Sequence, residues 1–396
     1  MRRLAILVPL AFLAACGAPD DAASGGGESA MTVDGVTDTE VLFGTHTDLS
    51  GPIAIWGVGV VNGMRMRFED ANAAGGVHGR QLRLIVEDTQ YQVPRAIQAA
   101  NKLINRDKIF AMLVAVGTPT NNAVMAQQFE QGVPNLFPGT GARSMVEPFQ
   151  KLMFAQHGIY YDEMRAAVKY FVEQEGKETV CVMYQDTDYG IEILEGVQDQ
   201  TAAMGIPIVE TSAHKPDATE FTAAILRLRN ADCDLVLMGT VHRDTILVLD
   251  AARKMGWDDV AWVGNNAAYG QVIAEHEAGE GYYAFVHMAR RYPDDDMTPE
   301  VREWFEGYVE RYGEEPGLPA MEGWRGADLV VQALEIAGRD LTREKLVAAL
   351  ESMHDVTDMF GYHLSFGPDD HKGASESVLS VVRDGRWVTL AQRISY

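Results

Sequence analysis

The sequence predicts an α/β protein built from two similar units, and three observations predict it. Strand-length apolar runs and helical periodicities alternate from residue 41 to residue 137. The same alternation restarts at residue 162 and runs to residue 264. The remaining tail, from about residue 287, is too short for a third unit of this kind. Alternation of this type gives a mainly parallel sheet with helices on both faces.

In the first unit, 41–45 reads as a strand and 62–73 as a helix stopped by Gly75-Gly76. A strand follows at 82–87, then a helix at 94–105 opened by Pro94, with Ile97, Ala100, Leu103 and Ile104 on one face. A strand at 110–114, a helix at 118–131 and a strand at 133–137 complete it. The second unit has helices at 162–173, 190–204, 219–230 and 244–255, alternating with strands at 179–184, 206–211, 235–239 and 261–264. Met164, Ala167, Val168 and Phe171 align on its first helix. The tail adds helices at 299–312, 323–337 and 342–352, and a hairpin of 377–382 and 387–394 around Asp384-Gly385.

The N-terminus sets the compartment. Arg2 and Arg3 precede an apolar run from Leu4 to Ala15 that is interrupted by Pro9. That run is shorter than the ~20 residues a membrane span requires. A positive start, a short apolar core and small residues before a cut site make a secretory signal. Leu13-Ala14-Ala15-Cys16 matches the bacterial lipoprotein box, so Cys16 is the expected lipidation site and 1–15 the signal peptide. Residues 16–36, with Gly25-Gly26-Gly27, form the expected flexible tether, with an average reach of about 25 Å as a coil. These features place the folded body in the periplasm, attached to a membrane only through lipid.

A net charge of −24 with no Lys/Arg-rich run excludes a nucleic-acid partner, because phosphates demand basic patches. The acidity favours solubility and does not define a ligand. With Cys16 lipidated, Cys181 and Cys233 remain. Both lie in or beside strands of the same unit, which permits a disulfide; the expectation is two buried free thiols, since a core of this size does not need the bridge.

No cofactor or metal motif emerges. Gly57-Val58-Gly59-Val60-Val61-Asn62-Gly63 imitates a dinucleotide fingerprint, but its last glycines have the wrong spacing. The ten histidines include no HExxH pair and have no CxxC companion. There is no GxSxG elbow, and Ser50 has no base near it in sequence, so no enzyme is expected.

The informative segments are the loops after strands, because open α/β sheets bind ligands at the carboxyl ends of their strands. In the first unit these are 49–56, 116–120 and 139–141. Thr118 reads as the cap of a helix with Pro119 at its first position, and the free N–H groups there suit an anion. The corresponding loops of the second unit are 185–189, 240–242 and 265–269. Trp56 and Tyr189 are placed as exposed aromatics that close over a ligand.

Several of these segments carry a resemblance. Leu49-Ser50-Gly51-Pro52, Trp56-Gly57 and Asn72-Ala73-Ala74-Gly75-Gly76-Val77-His78-Gly79-Arg80 resemble the leucine/isoleucine/valine-binding protein family. So do Glu87-Asp88 with Pro94, Lys102-Leu103-Ile104, Gly132-Val133-Pro134 with Pro138, Asp188-Tyr189-Gly190, and Phe221 with Asp234. The similarity covers nearly all the chain after the tether and is strongest over 41–240. It implies a type I periplasmic binding protein, with two Rossmann-like three-layer lobes joined by three hinge crossings. Lobe 1 would comprise 37–155 plus 287–357, and lobe 2 would comprise 156–286 plus 358–396. It also implies a monomer that delivers its ligand to the permease and ATPase of an ABC importer.

The resemblance carries over residue by residue. Trp56 matches an aromatic that contacts the ligand side chain. Thr118 and Thr120 lie where the family holds the ligand carboxylate. Gly139, Thr140 and Gly141 form the adjoining loop. Tyr189 matches the second-lobe aromatic, with Asp186 in the same loop and His242 in the 240–242 loop of the same unit. Amino-acid binders place an acid after the 261–264 strand to hold the ligand ammonium, whereas Asn265 and Asn266 stand here. The expected ligand is an amino acid or a related small carboxylate or amide, captured by closure of the lobes. A receptor-coupled sensor, or a binder of aromatic acids, amides or urea-like solutes, is the alternative.

Overall fold

The computed structural model describes residues 33–374, 377–392 and 394. The signal segment, Cys16 and most of the expected tether lie outside the described residues. The first sheet is built from β1 (Glu40–Thr47), β2 (Gln81–Asp88), β3 (Ala111–Leu113), β4 (Asn135–Leu136) and β5 (Met153–Phe154), interleaved with α1 (Ala54–Ala73), α2 (Val93–Asn101) and α3 (Thr118–Glu130). Its order is β2-β1-β3-β4-β5, with every pairing parallel.

The second sheet uses β6 (Val180–Gln185), β7 (Ile208–His214), β8 (Leu235–Gly239), β9 (Ala261–Gly264) and β10 (Tyr283–Val286). Its helices are α4 (Tyr160–Glu173), α5 (Asp188–Met204), α6 (Thr222–Asn230), α7 (His242–Lys254) and the short α8 (Gln271–Ala274). The tail supplies α9 (Pro299–Tyr312), α10 (Leu318–Ala337), α11 (Arg343–Glu351), β11 (Val356–Thr357), β12 (His363–Gly367), β13 (Asp370–Gly373), β14 (Val378–Arg383) and β15 (Arg386–Gln392). The last two strands join antiparallel beside β10, giving the order β15-β14-β10-β9-β8-β6-β7.

The chain passes between the two sheets three times, after Phe154, after Val286 and after Gly373. The strands β11, β12 and β13 form a small sheet of their own beside β5. Phe366 packs on Phe137 and Phe154, and the Ala155 N–H donates to the His371 carbonyl at 2.9 Å. Thus 363–373 lies against the first sheet, and the segment that joins the second sheet begins at Val378.

The tail is held to the first lobe by a close helix pair. A Cβ on Gly63 of α1 would lie 2.1 Å from the Ala320 carbonyl of α10, and one on Gly323 would lie 2.1 Å from the Val60 carbonyl. The glycines that imitate a nucleotide loop therefore let two backbones approach, and α1 and α10 share one core. The helix α1 starts at Ala54, well before the expected residue 62. The buried Asp48 carboxylate explains this: it accepts the N–H groups of Ser50, Gly51 and Ile53 and turns the chain directly from β1 into the helix.

The free-thiol expectation is corrected. Cys181 and Cys233 are joined by a disulfide, with Cα atoms 5.9 Å apart. Cys181 lies on β6, and Cys233 lies two residues before β8, the neighbour of β6 in the sheet. That adjacency depends on strand order, which cysteine spacing does not reveal. No helix among the described residues is long and apolar enough to cross a membrane.

Candidate functional site

In a parallel sheet of this order, neighbouring strands whose connections run to opposite faces leave a crevice at their carboxyl ends. In the first sheet these strands are β1 and β3; in the second they are β6 and β8. A small cavity of about 30 Å³ lies between the two crevices. With the lobes in this closed arrangement that is room for a few water-sized groups, so a solute enters only as the lobes part. Its first-lobe wall is Ile53 and Trp56 after β1, Tyr91 after β2, Val116 to Thr118 after β3, and Gly139 after β4. Its second-lobe wall is Tyr160, Tyr189 after β6, Val241 and His242 after β8, and Ala267 after β9.

The aromatic groups are fixed in pairs. The Trp56 and His242 ring centroids are 5.6 Å apart across the lobes. Tyr160 meets Tyr189 edge-on at 5.3 Å. The Tyr189 hydroxyl donates to the Thr240 carbonyl at 3.0 Å and accepts from the Asn265 amide at 3.0 Å. Burial holds the Tyr189 phenol well above its ordinary pKa, so it stays neutral. Burial also lowers His242 to about 4, leaving its imidazole uncharged at neutral pH. No lining side chain carries charge at that pH.

The polar end is the start of α3. Gly117, not Thr118, occupies the cap position, with φ +102°, and Thr118 is the first helical residue. A side chain at Gly117 would meet the Thr120 hydroxyl and the Tyr91 ring. The Thr118 hydroxyl shares a 2.7 Å hydrogen bond with Thr140. Around it, the first N–H groups of α3 point toward the cavity end of the helix axis, where partial positive charge collects.

The structure brings together Trp56, Thr118, Gly139, Tyr189 and His242 of the sequence candidates. Trp56 and Tyr189 are buried, not exposed as expected: Trp56 faces His242 of the second lobe, and Tyr189 packs on Tyr160 and bonds to Thr240 and Asn265. The remaining candidates are placed elsewhere. The Thr120 hydroxyl turns back to the Val116 carbonyl at 2.7 Å and supports its own helix start. Thr140 stands behind Thr118, and Gly141 lies where a Cβ would collide with the Gly158 carbonyl. Asp186 is at the surface, ion-paired with Lys215. Asn265 spends its carbonyl oxygen on the Ala267 N–H at 3.0 Å and its amide on Tyr189, so it braces the wall from behind. Asn266 is buried but does not line the cavity.

Sequence reasoning missed Tyr91 and Tyr160. Tyr91 follows β2, so the rule that ligands sit after strands could have found it. It has φ +55° and is steadied by its N–H donating to the Thr89 hydroxyl at 3.2 Å. Tyr160 opens α4 just beyond the first crossing, and no local pattern marks it.

Outside the cavity, the lobes also meet through polar contacts. The Asn122 amide donates to Asp188 at 2.8 Å, and the Arg143 N–H donates to Glu192 at 2.9 Å. Ser50, considered as a nucleophile, donates its hydroxyl to Asp88 at 2.6 Å.

This architecture is similar to that of known proteins. A fatty acid ABC transporter substrate-binding protein from Thermomonospora curvata superimposes with a TM-score of 0.81 at 22% identity, covering 92% of this chain and 94% of that one. An ABC-transporter solute-binding protein from R. palustris, solved in complex with benzoate, gives a TM-score of 0.79 at 18% identity, covering 90% and 97%. In sequence, the chain is 24% identical over 370 residues to Leu/Ile/Val-binding protein homolog 8 of Brucella abortus, covering 89% of this chain and 90% of the relative. Residues 40–386 match the family model described as periplasmic binding protein. With its two parallel-sheet lobes, three crossings and interlobe cavity, this chain belongs to the periplasmic binding protein family.

Proposed function

We propose that this protein is the solute-binding lipoprotein of an ABC importer and that its ligand is a small carboxylate with an apolar or aromatic body. It breaks no bond. Ligand shifts the population from open to closed forms as the two lobes rotate about the crossings. The moving bodies are the first sheet with α9 to α11 and β11 to β13, and the second sheet with β14 and β15.

The observation that supports this ligand class is the uncharged, aromatic-rich cavity wall beside the α3 N-terminus. A carboxylate fits the N–H groups and the Thr118 hydroxyl. An ammonium group has no carboxylate to pair with there, and burying it unpaired is costly. The fatty acid and benzoate named for the structural relatives agree with that chemistry. The branched-chain name of the sequence relative favours a second reading, a free leucine-like amino acid. Calorimetric titration with benzoate, medium-chain fatty acids and leucine separates them. Micromolar binding of an acid without an amino group supports the proposal, and tight binding of leucine alone overturns it.

Attachment through Cys16 belongs to the same proposal. One acyl chain binds a membrane marginally, and several anchor it stably. Cys16→Ser should release the protein into the soluble fraction. Equal solubility of wild type and variant would refute the anchor.

A further inference from the structure

Three residues far apart in sequence meet beneath the hinge. His157 lies in the first crossing, between β5 and α4. His287 begins the second crossing, directly after β10. Glu322 lies in the first turns of α10, on the first lobe. All three are buried: Glu322 and the His287 side chain have no exposed surface, and His157 has 1%.

Their atoms converge. Nε2 of His157 is 3.1 Å from Glu322 Oε1, and Nε2 of His287 is 3.3 Å from the same oxygen. The two imidazole centroids are 4.6 Å apart, with planes at 69°. One ligand atom from each of the three residues lies within 4.8 Å of the other two. Yet neither nitrogen of either ring, and neither oxygen of the carboxylate, makes a hydrogen bond within the described residues. The atoms approach closely without the alignment of donor and acceptor.

Unbonded polar atoms at this depth are costly. A divalent cation at the centre would satisfy one lone pair from each residue. Two ligands about 2.0–2.1 Å from a tetrahedral Zn²⁺ stand about 3.3 Å apart, close to the two nitrogen–oxygen spacings here. Imidazole and carboxylate are Zn²⁺ ligands, and neutral imidazole is the form that binds. The Arg325 guanidinium lies near His287. The Arg325 charge is itself engaged by Asp358 and by the Gln156 side chain and carbonyl.

We propose that His157, His287 and Glu322 form a binding site for a divalent transition-metal ion, best matched to Zn²⁺, that clasps two hinge crossings to the first lobe. Three protein ligands leave the fourth position to water. The site lies on the crossings, so the ion restrains the backbone about which the lobes rotate. It is independent of which solute the cavity holds.

The test uses the exported chain after removal of metal with a chelator. Zn²⁺ alone is titrated calorimetrically, and Co²⁺ replaces it for visible spectroscopy. The expected result is one Zn²⁺ per chain at submicromolar affinity, with the intense d–d bands of tetrahedral Co²⁺. Glu322→Gln and His287→Gln, nearly isosteric and checked for folding by circular dichroism, should each weaken Zn²⁺ binding by roughly 100-fold or more, as loss of one of three ligands implies. His363→Gln, which removes an exposed histidine, should leave it unchanged. Failure of the wild type to take up one Zn²⁺, or equal affinity in the folded Glu322 and His287 variants, overturns the proposal. Should those variants not fold, the wild-type Co²⁺ spectrum decides: weak octahedral bands overturn it as well.

Discussion

The indole of Trp56 on α1 and the imidazole of His242 on α7 face each other across the two lobes at 5.6 Å, inclined by 32°. Each lies just after a strand at the switch point of its own sheet, so opening the lobes must separate them. Burial of a large side chain is worth ~1.5–3 kcal/mol. Trp56→Ala should therefore weaken binding of the cognate ligand by roughly tenfold to a hundredfold while leaving the melting temperature of the unliganded protein within a few degrees. Titration calorimetry and thermal melts check both halves. Unchanged affinity would remove Trp56 from the ligand wall.

A second expectation concerns the α1–α10 crossing. Gly63→Ala places a methyl 2.1 Å from the Ala320 carbonyl and 2.7 Å from the Trp324 nitrogen, both backbone atoms. The helices must move apart, and overpacking of this kind costs about 1–3 kcal/mol. Chemical denaturation should show that loss. Wild-type stability in the variant would mean that the helices separate freely.

Reducing the Cys181–Cys233 bridge frees a loop spanning 52 positions. The chain-entropy model assigns such a loop about 4 kcal/mol. A Cys181→Ala, Cys233→Ala variant should unfold at lower denaturant concentration than the oxidised wild type. Identical midpoints would show that the bridge adds no stability.

Acid stability follows from two buried histidines. Burial lowers His46 and His242 to about 4, against 6.5 for the free side chain. Between those values the unfolded chain binds protons that the folded chain refuses, so stability falls as pH drops from about 6.5 toward 4. Each histidine contributes on the order of 3 kcal/mol to that loss. His46 has neither ring nitrogen bonded, so His46→Leu should flatten the slope. Melting temperatures at pH 7 and pH 5 measure it, and an equal drop in both proteins would contradict the assignment.

Local patterns in the chain determined much of the protein. Alternating strand and helix periods announced the two units, and the loops after strands marked Trp56, Thr118, Tyr189 and His242, all of which line the cavity. These signals are short-range: a period of two or 3.6 residues is written in consecutive side chains. Tertiary structure alone decided the rest. Thr120, Asn265 and Asp186 have suitable chemistry and neighbouring positions, but packing turned them toward the Val116 carbonyl, a tyrosine hydroxyl and Lys215. Strand order brought Cys181 to Cys233, and the three crossings brought His157 and His287 to Glu322. Such meetings depend on how strands are ordered and where the chain recrosses, and residues separated by 35 to 165 positions leave no common period to read.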